Sequence, residues 1–587
     1  MMPSAPPMNS DLQFLHRRTL AFVEQLLPRF CTDPADRNYG GFVDPVKRYA
    51  DSRESIYHAQ LFFAAYLYPE FTSYHRSPPL LEKLRAHLVF MQRRQRDDGS
   101  VMLQAFGVGT GSEVGFTLPG VCETYRRVLA SDVPGREEIL PVLANYIQRG
   151  AKCVRENFAH TSNHRWAAFA GPLAIANSLF PDPANGAMIE EYLSDGIDID
   201  ADGLYYEERS PVYNEVANYG LLTLADYWGR KDLFELIARN LRFTLAMRQP
   251  NGESETLFSH RQDRGRADWR WGDYFLFRRL AVELNDPEFA QAADVLRTQH
   301  DGTDALAAFT PAGLAVPLRY YYDDPRMAGA VVDEMPRQPL PLRYEMRFAT
   351  TPLWRWRHGA NAATVSADKG GHFWDVTQGT WGGLQRADAF MSLRAGLAVI
   401  DAMKLRWGTG TCGFRPDTIA YLPDGRLRLT YVDPGWEHVS HYRPPEKWGP
   451  RHNAANQTAE VFIRPAADNR FEFEIKIGGW ADMPVHVQFL LRETNTLTLP
   501  DNVTQALKWG GQTYTPTAGA YTLNGPDGSR IVLEPLPASE HRMPLDERRT
   551  ITGLAEQRCH RLILGLFTPV NIAFTLTLHP SANAGNQ

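Results

Sequence analysis

The residues best equipped for chemistry fall into three clusters. The first is Ser162-Asn163-His164-Arg165, directly ahead of the apolar run from Trp166 to Leu179. An amide, an imidazole and a guanidinium side by side supply the neutral and cationic donors that bind a carboxylate. The plainer reading is a helix N-terminus, with Ser162 or Asn163 as cap and His164-Arg165 as first-turn residues. The second cluster runs from Asp202-Gly203 through Tyr205, Tyr206, Glu207, Glu208, Arg209, Ser210 and Pro211 to Tyr213, and on to Tyr219. Tyrosine acts as acid or base where a cationic neighbour lowers its pKa, and Arg209 is the cation here. Ser210-Pro211 equally reads as the start of the next helix. The third is the stretch Ser259 to Arg270, where His260, Arg261, Arg264, Arg266 and Arg270 make a basic loop in an acidic protein, either a rim that attracts polyanions or a solvated charged loop.

Two weaker groups lie further on. Gly370-Gly371-His372-Phe373-Trp374-Asp375 offers an imidazole and a carboxylate, and His438, His441, Tyr442, Trp448 and His452 gather in one stretch. On a strand, His372 and Asp375 point to opposite faces, which argues against a shared metal. No nucleophile elbow, zinc-protease motif, Walker loop or dinucleotide fingerprint stands in a fitting context.

The elements that must position these groups change character along the chain. From residue 10 to about 330 apolar residues recur at helical spacing, as in Leu12, Leu15, Phe22, Val23 and Leu26. From about 345 the period becomes two: Phe471, Phe473, Ile475 and Ile477 alternate with Glu472, Glu474 and Lys476, and Val485, Val487, Phe489 and Leu491 repeat the pattern. Such strands, separated by Pro-Asp-Gly turns, predict an antiparallel sheet with one face on a core. The expected organisation is α+β and multidomain: helices over 1–334, a Pro-rich linker over 335–345, and an antiparallel β-sandwich over 346–587. The helical half also repeats. Asp98-Gly99, Asp202-Gly203, Asn251-Gly252 and Asp301-Gly302 punctuate it at intervals of 104, 49 and 50 residues. Between them, Tyr57-His58, Glu113 to Phe116, Asn163 to Trp166, Tyr213 to Glu215 and Trp269 to Trp271 begin polar-aromatic and turn apolar. Helical hairpins in series stack as an open solenoid or close into an (α/α) toroid. The toroid is preferred, because it places the starts of its inner helices, with those polar-aromatic groups, around one mouth.

Composition narrows the partners. The chain has 587 residues, 43% hydrophobic and 22% charged, with a formal net charge of -6. This is a folded, multidomain protein and not a disordered or fibrous one. A phosphate backbone calls for a basic surface, so nucleic acid is not expected as main partner. No apolar run is long enough to span a bilayer, and the N-terminal segment has no signal-like apolar core, so a cytoplasmic location is expected. The five cysteines are widely spaced and read as free thiols.

The Asn163-His164 pair followed by Asp202-Gly203-x-Tyr205-x-Glu207 and Ser210-Pro211-x-Tyr213, on a toroid ahead of a sandwich, resembles the heparinase II/III and alginate or oligoalginate type of polysaccharide lyase. The resemblance implies that Asn163 and His164 neutralise a uronate carboxylate and that a tyrosine some fifty residues on donates a proton. His164 is followed by Tyr213 after 49 residues and by Tyr219 after 55, and either fills the role. The family often draws a further base from its sandwich, for which His372 and Tyr442 are candidates. The implied reaction is β-elimination on an acidic oligo- or polysaccharide, with no cofactor and with a structural divalent metal left open. Arg165, Arg209, His260 and Arg261 are expected to bind the acidic groups, and Trp166, Tyr206, Trp269 and Trp271 to stack on sugar rings. A tyrosinate base implies a neutral to alkaline optimum. The alternatives are a glycoside hydrolase using carboxylates among Glu207, Glu208, Glu215 and Asp273, a uronyl epimerase sharing the proton-abstraction machinery, and a non-catalytic glycan binder.

Overall fold

The computed structural model describes residues 9–104, 107–157, 162–206, 209–259, 267–303, 311–327, 330–367, 389–407, 412–433, 436–439, 450–453, 456–466, 469–507, 513–542 and 560–581. His260, Arg261, His372 and Tyr442 lie outside them, as do Glu207 and Glu208.

The helical half alternates outer and inner helices. The outer ones are α1 (Ser10–Leu26), α3 (Pro78–Arg94), α5 (Arg136–Arg155), α7 (Pro183–Ser194), α9 (Leu233–Ala246) and α11 (Pro287–His300). The inner ones are α2 (Ser52–Leu67), α4 (Gly111–Leu129), α6 (162–179), α8 (Pro211–Tyr227), α10 (Trp271–Leu284) and α12 (Pro311–Asp323). Each inner helix packs on the next, and α12 packs back on α2, so the hairpins close into an (α/α) toroid. A short helix, α13 (Ala330–Glu334), ends this half.

Closure is sealed by charge. Asp11, wholly buried in the first turn of α1, accepts from Arg278 Nε at 2.6 Å, Arg297 Nη1 at 2.8 Å and the Tyr321 hydroxyl. Burial alone would raise the Asp11 pKa, but Arg278 and Arg297 reverse that and hold it below the usual carboxylate range. Chain ends far apart in sequence are thereby joined.

Local signals set the helix starts. Asp51 caps α2 by accepting from the N–H groups of Arg53 and Glu54, and Ser210 caps α8 ahead of Pro211, its Oγ accepting from Tyr213 N at 3.3 Å. The turns ahead of α2, α4, α8 and α10 each carry a left-handed glycine: Gly40, Gly99, Gly203 and Gly252. A Cβ on Gly203 would stand 2.5 Å from the Arg239 carbonyl oxygen, so this turn admits no side chain. The Asp-Gly and Asn-Gly turns at Gly99, Gly203 and Gly252 are points where a hairpin leans on the next outer helix, whereas Gly302 meets nothing within 4 Å.

Among the described residues the sandwich has two nine-stranded sheets. One runs in spatial order Thr513–Tyr514, His560–Phe567, Pro484–Leu491, Ala398–Trp407, Ala389–Ala395, Asn361–Ser366, Leu353–His358 and Arg343–Arg347. The other is centred on Thr458–Ala466, Arg470–Gly478, Val570–His579 and Arg530–Leu536. Pairing is antiparallel except where Thr513–Tyr514 runs parallel to His560–Phe567. The first strand begins at Arg343, two residues past the last proline of the Pro-rich segment and inside the stretch read as linker. Phe471, Phe473, Ile475 and Ile477 are buried while their neighbours are half-buried, as the alternation requires. Phe473 stacks on Phe574 at 4.9 Å, and Phe489 of the opposite sheet meets Phe574 edge-on at 5.8 Å, joining the layers.

Pro484–Leu491 departs from simple alternation: His486, Gln488 and Leu490 are buried too. The outer face of that sheet is covered by the toroid, where Leu257 packs with Ala389, Ala402 and Leu490. The domains are also tied by Asp202, whose carboxylate accepts from the N–H groups of Ala349 at 2.9 Å, Thr350 at 2.7 Å and Thr351 at 3.1 Å. Interdomain contacts gather at the end of the toroid where the inner helices begin.

Candidate functional site

The first turns of the inner helices build the site. In α6 the run Ser162–His164 passes through a π-helical segment, Arg165–Ala170, before regular helix resumes at Gly171. Inserted π turns are rare and displace side chains at the point of insertion. This one lies against α8. Gly220 meets it with no side chain between: a Cβ there would stand 2.3 Å from the Trp166 carbonyl carbon and 2.6 Å from Ala167 N. Parallel inner helices in such contact hold Trp166 level with Gly220, which sets the Asn163-His164 turn beside the segment ending at Tyr219.

A cavity of about 340 Å³ runs down the bore below this turn. Tyr57, Phe116, Glu215, Tyr219 and Arg270 line it toward the helix starts, and Glu123, Tyr227 and Arg319 line it further in. His164 packs against the edge of Phe116 at 5.0 Å, and Arg53, paired with Glu113 at 2.9 Å, lies 5.9 Å over the same Phe116 ring. Arg270 binds Glu215, and the Tyr219 hydroxyl donates to the Gly272 carbonyl at 3.0 Å. Glu215, Tyr219 and Arg270 therefore form one polar wall of the cavity.

Protonation follows burial and charge. Tyr219 is held well above the ordinary phenol range by burial, with the charge of Glu215 adding to it. It keeps its proton and is fitted to donate one. Burial likewise pushes Tyr57 up to about 12. Asp273 is raised far above the carboxylate range by burial and then by Glu215, which Arg270 only partly offsets. Glu215 and Asp273 thus differ in character, the first ion-paired and the second held neutral.

The sequence candidates separate into three groups. Asn163 is buried and His164 half-buried near the start of α6, Tyr219 lines the bore from α8, and Tyr213 lies half-buried in the first turn of α8, nearer the mouth. Arg165 turns away: its guanidinium lies 3.8 Å from Asp195, beyond the end of α7, and 5.5 Å over the Trp166 ring. Arg209 precedes α8 in a left-handed backbone conformation, and Tyr206 is 49% exposed on the adjoining loop. Trp166 and Trp271 do not serve as sugar platforms, and neither does Trp269. Trp166 and Trp269 are 0% exposed and Trp271 is 4% exposed. Trp271 is stacked on Tyr274 at 4.4 Å beside Phe14, and Trp166 donates its indole N–H to Asp198 at 3.2 Å. Each begins an inner helix, but on the flank that faces its neighbour instead of the bore.

Tyr57 and Phe116 belong to the recurring polar-aromatic segments, whereas Glu123 carries no spacing signal and only its place on the bore marks it. Among the described residues no group of three His, Cys, Asp or Glu side chains converges as a metal site. No described helix is long and apolar enough to cross a membrane.

No protein-family model matches the chain, and no curated protein matches it in sequence. Solved structures do match. The chondroitin AC lyase of Streptomyces coelicolor A3 in complex with chondroitin sulphate superposes with a TM-score of 0.60 at 13% identity, covering 99% of this chain and 81% of its own. Heparinase III superposes with a TM-score of 0.56 at 10% identity, over 100% of this chain and 88% of that one. A heparan sulfate lyase mutant from Pedobacter heparinus gives 0.50 at 12% identity, covering 98% and 92%. The likeness runs through both domains, so the toroid-plus-sandwich fold of this chain is that of these lyase structures.

Proposed function

We propose that this chain, built on the fold of the polysaccharide lyases, is itself a lyase that cleaves a uronic-acid-containing oligo- or polysaccharide by β-elimination. The observation that carries the reading is the packing of the Asn163-His164 turn of α6 against α8, with Tyr219 and Arg270 on the same bore. An acidic sugar seated there presents its carboxylate to the Asn163 amide and the His164 imidazole. Charge that develops on the carboxylate as the C5 proton leaves is then met by preoriented donors, each worth about 3–4 kcal/mol in comparable sites. Tyr213, nearer the mouth and acting as its phenolate, takes the C5 proton and becomes the neutral phenol. The C4–O bond breaks as the C4–C5 double bond forms, and Tyr219, which holds its proton firmly, gives it to the leaving glycosidic oxygen. Neither water nor a redox partner enters the step.

A hydrolase would use Glu215 and Asp273, but Glu215 Oε2 is already bound to Arg270 and its Oε1 lies against the Gly272 backbone. The test is a panel of uronic-acid polymers and oligomers, followed by near-ultraviolet absorbance with and without chelator. The expected result is an absorbing unsaturated product that Tyr219→Phe and His164→Ala each reduce at least a hundredfold. New reducing ends without that absorbance would replace this reading with hydrolysis.

A further inference from the structure

The cavity in the bore has a depth and a floor. Tyr219 lines it from the middle of α8 and Tyr227 from the end, eight residues or about 12 Å of helix further in. The walls around that length include Pro119 of α4, Pro172 and Ile175 of α6, Leu222 of α8 and Val316 of α12. Glu123, Tyr227 and Arg319 make the floor. The Tyr227 hydroxyl donates to Glu123, while the Arg319 guanidinium donates to the Tyr227 oxygen at 2.8 Å and pairs with Glu123. A second hollow of about 40 Å³ shares Glu123 and Arg319 with the first. At about 10–15 Å³ per water it admits a few waters and no sugar ring. Tyr68 and Arg127 line this hollow, Tyr68 stacked on Tyr322 at 4.0 Å and covered by the Arg127 guanidinium at 4.7 Å. Among the described residues the bore is therefore a blind chamber.

The chamber is selective by its chemistry. Among the described residues that line it inward of Tyr219, Arg319 is the cation and Glu123 cancels it. A carboxylate or sulfate carried down there would be buried without a countercharge of its own. The apolar walls suit the C–H faces of an uncharged ring, with a few polar groups to orient it. Gln60 is one of those groups. It is 6% exposed, its amide lies against the bare backbone of Gly120, and its Nε2 has no acceptor. A hydroxyl both donates and accepts, so it answers that amide in either orientation.

We propose that this chamber receives the leaving end of the glycan, a short uncharged sugar unit linked to O4 of the acidic sugar, so that cleavage removes a neutral cap from the non-reducing end. The inference rests on the elimination reading, in which Tyr213 near the mouth takes the C5 proton and Tyr219, further in, protonates the leaving oxygen. The deeper oxygen carries its sugar toward the floor, and the leaving chain must end within about 12 Å of Tyr219. Breaking the C4–O bond as the C4–C5 double bond forms moves one proton, in net, from C5 to that oxygen. The products are a free neutral sugar and a longer acidic fragment that keeps the double bond.

The test compares two trisaccharides that differ only in the unit on O4 of the central uronic acid, a neutral hexose in one and a second uronic acid in the other. A longer oligomer with a neutral cap, labelled at its reducing end, is run beside them. The neutral-ended trisaccharide should give at least tenfold greater kcat/KM in near-ultraviolet absorbance, and the labelled oligomer should lose its terminal unit alone. Val316→Phe narrows the chamber and Gln60→Leu removes its amide, and each should cut that preference at least fivefold. Calorimetry on Tyr219→Phe reads the preference without turnover, with the neutral-ended trisaccharide binding at least tenfold tighter. Should no chromophore form while that binding preference holds, the elimination reading falls and the chamber stands as a neutral-sugar site. Internal cleavage of the labelled oligomer, equal or absent binding of the two trisaccharides, or a preference unchanged in whichever chamber variant folds overturns the inference.

Discussion

Replacing Gly220 by alanine adds one methyl group at the place where α8 touches α6. That Cβ would stand 2.3 Å from the Trp166 carbonyl carbon, 2.5 Å from its oxygen and 2.6 Å from Ala167 N. All three atoms are backbone, so no rotamer change relieves the contact. Ordinary van der Waals contact begins near 3.4 Å, so the two helices must part by about 1 Å. Overpacking of this kind costs about 1–3 kcal/mol, and the better helix propensity of alanine returns up to about 1 kcal/mol. Net destabilisation of roughly 0–2 kcal/mol leaves the protein folded. The catalytic consequence is larger, since a displacement of about 1 Å between the carboxylate-binding turn and the proton donor lowers the rate by about 10²-fold. The assay is formation of the near-ultraviolet chromophore on the best glycan of the panel, run beside urea unfolding. Gly186→Ala is the control, because its Cβ meets only the far ring edge of Trp228 at 3.2 Å. A folded Gly220→Ala variant with undiminished turnover would refute the claim that this helix contact sets the site.

Asp11→Asn breaks the buried Arg278–Asp11–Arg297 cluster that closes the toroid and should cost about 3–5 kcal/mol in urea unfolding; a loss below 1 kcal/mol would assign closure to apolar packing alone. The His87 contribution to stability, read as the difference between the original chain and His87→Gln, should be level above pH 6.5 and fall as pH drops from there toward 4. His87, pushed down to about 4 by burial, stays neutral in the folded chain while the unfolded chain takes up its proton, a loss of about 3 kcal/mol that His87→Gln removes. A second loss follows between pH 4.5 and 2: burial alone would raise Glu253, but Arg394 and Arg492 bring it to about 2, so it stays charged after its unfolded counterpart is protonated. A difference between the original chain and His87→Gln that stays constant from pH 6.5 to 4 would contradict the histidine assignment. Asp202→Ala deletes the acceptor for three backbone N–H groups of 349–351 and should loosen the docked sandwich, read as faster hydrogen exchange there with the toroid unchanged.

Much of the architecture is legible because it rests on periodicity and local capping. The alternation at Phe471 to Ile477, the Ser210-Pro211 helix start and the glycine turns at Gly99, Gly203 and Gly252 each act within a few residues. The polar-aromatic segments recur because every inner helix repeats one role, and the structure places all five on inner helices or at their starts. The fate of individual side chains is less legible. Trp166, Trp269 and Trp271 share the phase of the mouth residues yet lie in core, since a turn of helix offers neighbouring residues to different flanks. Similarly, Leu490 is buried because the toroid packs on the outer face of its strand, and His486 because the His541 ring lies 5.0 Å from it; strand alternation alone signals neither.

The sequence by itself determined which stretches coil and which extend, where the hairpins turn, and which residue types gather near the helix starts. Those outcomes depend on interactions among near neighbours. Only the tertiary structure decided that Tyr219 faces the bore with its proton held while Arg165 turns to Asp195, and that Arg357 donates to the main-chain carbonyl of Arg248 across a seam more than one hundred residues apart in the chain. Burial and the sum of surrounding charges set those properties, and both depend on distances between segments that only the closed ring and its docked sandwich establish.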